Sequence, residues 1–140
     1  MAEKNHYPKD KGCARWIGPV GAAFGFLTVA LGAVGAHLLR SQLSPPRMEQ
    51  WQTAVQYQAL HALSLLLVAS LQYAGKSGPL LFWAGRLYVA GILCFCGSLY
   101  LLSTRELLGL SLSWLQHVTP LGGLLWLVAW ALMVVKLCRN

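Results

Sequence analysis

Three histidines, His37, His61 and His117, are the residues of this chain with the widest chemical range. Imidazole binds metal ions and haem iron, and it exchanges protons near neutral pH. Gln58 and Thr119 lie close in the sequence to two of these histidines, so one hypothesis is a metal, haem or proton site. We favour the alternative, in which each neutral imidazole donates a hydrogen bond to a carbonyl or hydroxyl group and ties helix ends together.

The other reactive side chains do not complete such a site. The four cysteines are Cys13, Cys94, Cys96 and Cys138. Cys94 and Cys96 are two residues apart, so they point to different faces of a helix, and they lack the spacing and partners of a zinc or thioredoxin-like site. We expect cysteines that pack as small apolar residues, and no metal site.

The acidic residues are also poorly placed for chemistry inside a membrane. All four, Glu3, Asp10, Glu49 and Glu106, fall in predicted tails or loops. A proton-coupled carrier normally needs a carboxylate within the membrane. The sequence therefore predicts no enzyme, no cofactor and no proton-coupled transport.

Four long apolar runs must position these side chains. The chain is 56% hydrophobic and 11% charged, and each run is close to the ~20 residues that cross a bilayer as a helix. We predict an all-α membrane protein, a compact bundle of four transmembrane helices with both termini on the same side. The predicted helices span about 16–39, 46–73, 80–102 and 118–137, within one domain (16–140) that follows a basic polar tail (1–15). A soluble fold would need polar helix faces, and the run 63–68 leaves no room for one.

The basic residues predict the orientation of the bundle. The net charge is +7, and the basic residues divide between the two ends of the predicted helices. One side has Lys4, Lys9, Lys11, Arg15, Lys76, Lys136 and Arg139, and the other has Arg40, Arg47 and Arg105. This bias predicts that both termini face the cytoplasm of a bacterial plasma membrane or, in a mitochondrial inner membrane, the matrix. We expect membrane lipids as partners and no nucleic acid.

Small residues predict how the helices pack. Helix 1 carries a heptad stripe of Gly18, Gly21, Gly25, Thr28, Gly32 and Gly35. Lipid provides no hydrophobic drive between helices, so close backbone approach must hold a bundle together. We expect helix 1 to be the central element, with its stripe against protein. Thr119 and Pro120 predict the start of helix 4, and Gly122 and Gly123 predict close packing in its first turns.

Helix 2 carries polar side chains deep into its apolar run. Ser44, Pro45 and Pro46 predict its start. At 100° per residue, the polar side chains that follow share one arc of the helix: Thr53, Tyr57, Gln58, His61, Ser64 and Gln72. A polar arc cannot face lipid cheaply, so we expect Tyr57, Gln58, His61 and Ser64 to point into the bundle. We also expect His61 to bond a neighbouring helix.

Four ordered motifs carry a family resemblance. They are GAVGAH (32–37), WQTAVQYQALHAL (51–63), GSLY (97–100) and TPLGG (119–123). Together they resemble the small four-helix inner-membrane family of unknown function typified by bacterial YgdD, with the eukaryotic transmembrane protein 256 as a relative. The resemblance implies the fold and an inner-membrane location, and it implies no enzyme activity.

Three functional hypotheses follow from these observations. The first is a non-catalytic structural or accessory subunit of a larger membrane complex, with other membrane-protein subunits as partners. The second is a membrane module that binds a lipophile, such as a lipid or quinone, through the polar arc of helix 2. The third is a metal- or haem-dependent membrane enzyme built on His37, His61 and His117.

Overall fold

Four long helices make up the computed structural model, which describes residues 15–139. They are α1 (Ile17–Leu39), α2 (Pro45–Tyr73), α3 (Pro79–Thr104) and α4 (Leu115–Cys138), and each is long and apolar enough to cross a membrane. The described residues form no strand. The predicted all-α membrane fold class is confirmed. Cys13 and all but the last residue of the predicted tail lie outside the described part of the chain.

Short loops join the helices. Ser44 is extended and immediately precedes α2, and Pro45 and Pro46 occupy its first turn, as the sequence predicts. The loop between α2 and α3 turns through Gly75 and Gly78, whose φ angles are +77° and +153°. Side chains with a Cβ rarely adopt such angles. Glycine therefore lets five residues, 74–78, reverse the chain between two membrane-length helices.

The predicted start of α4 is wrong. The helix begins at Leu115, and Pro120 lies inside it. It starts early because the backbone N–H groups of residues 115, 116 and 117 donate to carbonyls of residues 112, 113 and 114 at 3.1–3.2 Å. Pro120 cannot donate a backbone hydrogen bond, and its ring crowds the carbonyl one turn earlier. It nevertheless lies near the start of α4, and the helix continues through it. Thr119 does not cap the helix.

Consecutive helices are antiparallel. A Cβ atom at Gly18, near the start of α1, would lie 3.5 Å from Cβ of Ala69, near the end of α2. At the other end of α1, the indole of Trp51 lies within 2.5 Å of a Cβ built at Gly35. Trp51 also donates from Nε1 to the carbonyl of Leu31 at 3.0 Å. Glycine in α1 thus makes room for a tryptophan from α2.

Helix α1 is peripheral, which corrects the expectation that it is central. Its buried residues are Ile17, Gly21 and Gly35, whereas α2 has ten buried residues. The small residues of α1 admit α2 closely on one face, but they offer little side-chain surface to a third helix. Helix α2 lies between α1 and the α3–α4 pair and is the central element.

The glycine stripe of α1 is only partly in contact. Gly18, Gly21, Gly32 and Gly35 all face side chains of α2, with a Cβ at Gly21 3.0 Å from Cβ of Leu65. A Cβ at Gly25 would meet no atom within 4 Å. The expectation that Gly25 packs against protein is wrong, because no atom of the bundle lies within 4 Å of a Cβ at this position. Thr28 stays within its own helix, donating from Oγ1 to the carbonyl of Phe24 at 2.8 Å.

Helix α3 contains a π-turn, Ile92–Cys96, which faces α4. A Cβ at Gly122 of α4 would lie 2.5 Å from the backbone N of Phe95, inside that turn. At the next residue, Gly123, the nearest atom would be Cδ2 of Phe95 at 4.0 Å. A Cβ at Gly91 would overlap the indole of Trp126. The α3–α4 pair is therefore held by a second set of close glycine contacts.

Candidate functional site

The polar arc of α2 lies at the centre of the bundle. Gln58, His61 and Ser64 are 3%, 2% and 5% exposed. Tyr57 is different, because it is 43% exposed and lies at the edge of the bundle. Ser64 turns back onto its own helix, donating from Oγ to the carbonyl of Leu60 at 2.9 Å. Three of the four expected side chains therefore point inward, and the fourth does so only with one face of its ring.

Gln58 connects three helices. Its Nε2 donates to the carbonyl of Phe24 in α1 at 3.1 Å. Its Oε1 accepts a hydrogen bond from the hydroxyl of Tyr100 in α3, also at 3.1 Å. In hydrocarbon an amide without partners would cost several kcal/mol. Gln58 is thus a cross-link between α1, α2 and α3, and both ends of its amide are occupied.

His61 bonds its own helix, so the expectation of a hydrogen bond to a neighbouring helix is wrong. Its Nδ1 lies 2.8 Å from the carbonyl oxygen of Tyr57, one turn earlier. A carbonyl only accepts, so Nδ1 carries the proton and Nε2 is the acceptor in the neutral ring. The helical geometry that points a side chain toward the preceding turn explains this choice of partner.

The contact of His61 with another helix is a stacking contact. Its ring lies parallel to the indole of Trp126 in α4, with ring centroids 3.6 Å apart and an angle of 7° between the planes. Tyr57 is parallel to the same indole at 5.8 Å, and Phe95 packs against it at 4.8 Å. Trp126 donates from Nε1 to the carbonyl of Tyr88 at 3.2 Å. One face of the imidazole is therefore covered by an immobilised aromatic ring.

Trp126 is the residue at this site that the sequence analysis missed. It is 4% exposed and touches the side chains of both α2 and α3. A signal for it exists, because an indole N–H in the apolar middle of a membrane helix requires an acceptor inside the bundle. A second part of the signal is a glycine on the facing helix. Gly91 of α3 leaves space for the indole ring of Trp126.

The structure does not bring the three histidines together. His37 lies at the end of α1 and His117 in the first turn of α4, and both are exposed. His61 is enclosed by the bundle. Within residues 15–139, no group of three or more His, Cys, Asp or Glu side chains is placed to hold a metal ion. Cys96 is buried and Cys94 half-buried, and both are free thiols.

A second hydroxyl contact joins α3 to α4. Oγ of Ser98 and Oγ1 of Thr119 are 2.6 Å apart, and Ser98 also donates to the carbonyl of Phe95 at 2.9 Å. Two of the four family motifs meet at this contact, since Ser98 belongs to GSLY and Thr119 to TPLGG. Thr119 has a packing role here that differs from the predicted helix cap.

The polar side chains described above therefore form their hydrogen bonds inside the bundle. Gln58, Tyr100, Ser98 and Thr119 form hydrogen bonds between helices, while His61 and Ser64 bond within α2. The chemistry that this arrangement performs is cohesion, because these six side chains find their partners inside the bundle and hold the helices at fixed rotations. Of the four α2 side chains expected to point inward, Tyr57 is the one whose ring is open to the surroundings.

Comparisons with known proteins agree with this structure. Residues 31–123 match a family described as "Protein of unknown function (DUF423)". The UPF0382 membrane protein YwdK of Bacillus subtilis (strain 168) is 40% identical over 83% of this chain and 90% of its own length. The UPF0382 inner membrane protein YgdD of Escherichia coli (strain K12) is 38% identical over 84% of this chain and 86% of its own. No solved structure matches the chain. The resemblance drawn from the four motifs is confirmed.

Proposed function

The chain belongs to the DUF423 family of membrane proteins of unknown function, and we propose that it is a non-catalytic accessory subunit of a larger membrane complex. The observation that carries this proposal is the open face of α1. Helix α1 packs against α2 and, at Ile17, against Gly85 of α3, and it leaves the rest of its surface exposed.

The outer surface of α1 presents small residues between large apolar ones such as Phe26 and Val29, which are 75% and 74% exposed. Ala22, Ala23, Ala33 and Ala36 are exposed, and Gly25 has open space where a Cβ would stand. Small side chains make few van der Waals contacts with acyl chains, but they let another transmembrane helix approach closely. A transmembrane helix of another protein is therefore the occupant that we assign to this surface, which we call the α1 outer face.

The interior of the bundle supports the same proposal. Gln58 has both ends of its amide bonded, and the ring of His61 is stacked against Trp126. An enzyme site would need polar groups free to engage a substrate. Here these groups hold the helices together, which suits a protein whose activity is to pack against others.

The test replaces Gly25 by leucine. We expect Gly25→Leu to fold with an unchanged melting temperature, because no atom lies within 4 Å of the added Cβ. The same substitution should remove the partner subunits that co-purify after mild detergent extraction, since leucine holds an incoming helix away from the α1 outer face.

Gly97→Leu is the matched control. Gly97 lies on α3, and a Cβ there also meets no atom within 4 Å, so this variant should fold and keep the same partners. Equal loss of partners in both variants would contradict the assignment to α1. A stable homodimer with no other subunit would contradict the accessory role itself.

The same preparation tests the lipophile alternative. Gln58, His61 and Ser64 are engaged in internal contacts, so a lipophile would instead use the groove between α1 and α2. This groove has a volume of about 200 Å³ and is lined by Gly32, Val55 and Gln52 among others. Pockets that enclose drug-sized ligands are usually about 300–1,000 Å³. A lipid or quinone retained stoichiometrically in place of a protein partner would favour this alternative, and a haem or metal spectrum would favour a histidine-based enzyme.

The location that we propose is an energy-transducing membrane, either a bacterial plasma membrane or a mitochondrial inner membrane. The printed name of YgdD places that relative in the inner membrane. The distribution of basic residues favours termini in the cytoplasm or matrix.

A further inference from the structure

A polar cavity lies at the end of the bundle that holds the α1–α2 and α3–α4 loops. Its volume is about 340 Å³, and its lining includes Arg47 of α2, Arg105 at the end of α3, and Gln116 of α4. Leu99 and Leu102 line its apolar part and are 9% and 4% exposed. The cavity therefore has polar and cationic groups beside a buried apolar wall, as the boundary between headgroups and acyl chains requires.

One of the two arginines is already paired. Arg47 donates from Nε and Nη2 to Oε1 of Glu106, at 3.1 and 3.0 Å. Its Nη1 donates to Oε1 of Gln50 at 3.0 Å. The side chain of Arg47 is 17% exposed, against 61% for Glu106. Arg47 is thus held in place by its neighbours, and its charge is offset by a carboxylate on the outer side.

Arg105 has a different environment. Its side chain forms no hydrogen bond or ion pair with any of residues 15–139, although it is half-buried. It also lines a second cavity of about 410 Å³, together with Ser111 and Ser113 of the α3–α4 loop. With Arg47 and Glu106 offsetting each other, the charge of Arg105 is the net charge at the cavity wall.

The helix termini add to this positive potential. Helices α2 and α4 both begin at this end of the bundle, and Arg47 and Gln116 lie in their first turns. A helix N-terminus carries roughly half a positive charge. The site therefore combines an unpaired guanidinium, two helix N-termini and the amides of Gln50 and Gln116. Phosphate oxygens match this set of donors.

We propose that this cavity binds the phosphate of an anionic phospholipid, with Arg105 as its principal ligand. Leu99 and Leu102 contact the start of the acyl chains, and the adjoining cavity at Ser111 and Ser113 takes the rest of the headgroup. Glu106 repels a second anion, so one lipid binds per chain. The site is separate from the α1 outer face and does not depend on the accessory role.

The experiment measures lipid binding to the full chain in detergent by native mass spectrometry. Phosphatidylglycerol and phosphatidylcholine with identical acyl chains are compared, and inorganic phosphate is added as a competitor. We expect one phosphatidylglycerol per chain, in preference to phosphatidylcholine. Arg105→Gln should weaken phosphatidylglycerol binding about tenfold, because it removes charge-assisted hydrogen bonds.

Arg86→Gln is the control. Arg86 is exposed, lies on the same helix toward the other end of the bundle, and has its guanidinium carbon 4.4 Å from the ring centre of Phe82. This variant should bind phosphatidylglycerol like the original chain. Arg105→Gln should also keep the melting temperature of the lipid-free chain, since Arg105 bonds no described residue.

Three outcomes would overturn the proposal. One is equal binding of the two lipids, and another is equal loss of binding in the Arg105 and Arg86 variants. The third is displacement of the lipid by inorganic phosphate at comparable concentration, which would assign the site to free phosphate. If Arg105→Gln does not fold, Gln116→Leu tests the same cavity, with an expected loss of about threefold.

Discussion

Individual polar side chains inside this bundle differ in whether they find partners. The hydroxyl of Tyr100 donates to Oε1 of Gln58. The hydroxyl of Tyr88 is buried and forms no hydrogen bond with the described residues, and the same holds for Nε2 of Gln72. An unsatisfied buried donor costs free energy that a satisfied one does not. The hydroxyl groups of these two tyrosines therefore contribute to stability with opposite signs.

Two tyrosine substitutions test this difference. Tyr88→Phe removes a hydroxyl without a partner, so we expect the free energy of unfolding to stay the same or rise by up to about 1 kcal/mol. Tyr100→Phe leaves Oε1 of Gln58 unpaired and should lower it by about 1 kcal/mol. Unfolding of each variant in mixed detergent, beside the original chain, measures both values. A loss in Tyr88→Phe as large as in Tyr100→Phe would show that Tyr88 has a partner.

The direction of the α2 side chains could be predicted at this scale, but their partners could not. A period of 100° per residue places Gln58, His61 and Ser64 on one arc, and polarity turns that arc inward. The partner of each group depends on which helix lies opposite and at what height. Trp126 occupies the position opposite His61, and nothing in the local sequence around His61 indicates it.

At the scale of the helices, the π-turn in α3 determines how α3 meets α4. The turn Ile92–Cys96 places the backbone of Phe95 against Gly122, where a side chain would not fit. Neighbouring Gly123 has room for a methyl group. Two adjacent glycines thus differ in role: one allows backbone contact, and the other only lowers the helix propensity of α4.

Alanine substitutions separate these roles. Gly122→Ala should destabilise the bundle by about 1–3 kcal/mol, because its Cβ would displace the Phe95 backbone. Gly123→Ala should be neutral or stabilising by up to about 1 kcal/mol, since alanine favours the helix. Thermal unfolding of the two purified variants makes the comparison. Equal effects would mean that α4 can rotate to relieve the contact.

The helices themselves could be predicted from the apolar runs, whereas their irregularities could not. Length and composition locate α1 to α3, because a bilayer demands about 20 apolar residues per crossing. The predicted start of α4 was wrong. Thr119-Pro120 has the sequence pattern of a helix start, but the backbone is already helical at Leu115. The prediction that the α1 stripe packs against protein was wrong at Gly25. A heptad repeat identifies the helix face that carries small residues, but it does not give the distance to the next helix.

The whole molecule has an orientation that its charges predict. Seven basic residues flank the ends of the helices on the side of the termini, and three flank the other side. Loops rich in lysine and arginine stay in the cytoplasm or matrix. The exposed Cys138, the last residue of α4, reports directly on this orientation.

Thiol labelling of sealed cells tests the orientation. In a Cys13→Ser background, Cys138 should resist a membrane-impermeant maleimide until the membrane is permeabilised. A Ser111→Cys variant, with Cys138 also replaced by serine, places a thiol in the exposed α3–α4 loop and should be labelled from outside at once. The reverse pattern of labelling would invert the proposed topology.

Most of the close glycine contacts fall within the α1–α2 and α3–α4 hairpins, and this has a consequence for biogenesis. Gly21 and Gly35 fit α1 to α2, and Gly91 and Gly122 fit α3 to α4. Each hairpin is complete in sequence before the next one is synthesised, and contacts between neighbours in sequence form fastest. The hairpins then dock through Gln58 with Tyr100, through His61 with Trp126, and through Ile17 of α1 against Gly85 of α3. Each hairpin can therefore pack as it is inserted into the membrane. The polar centre of the bundle is closed only when the second hairpin docks against the first.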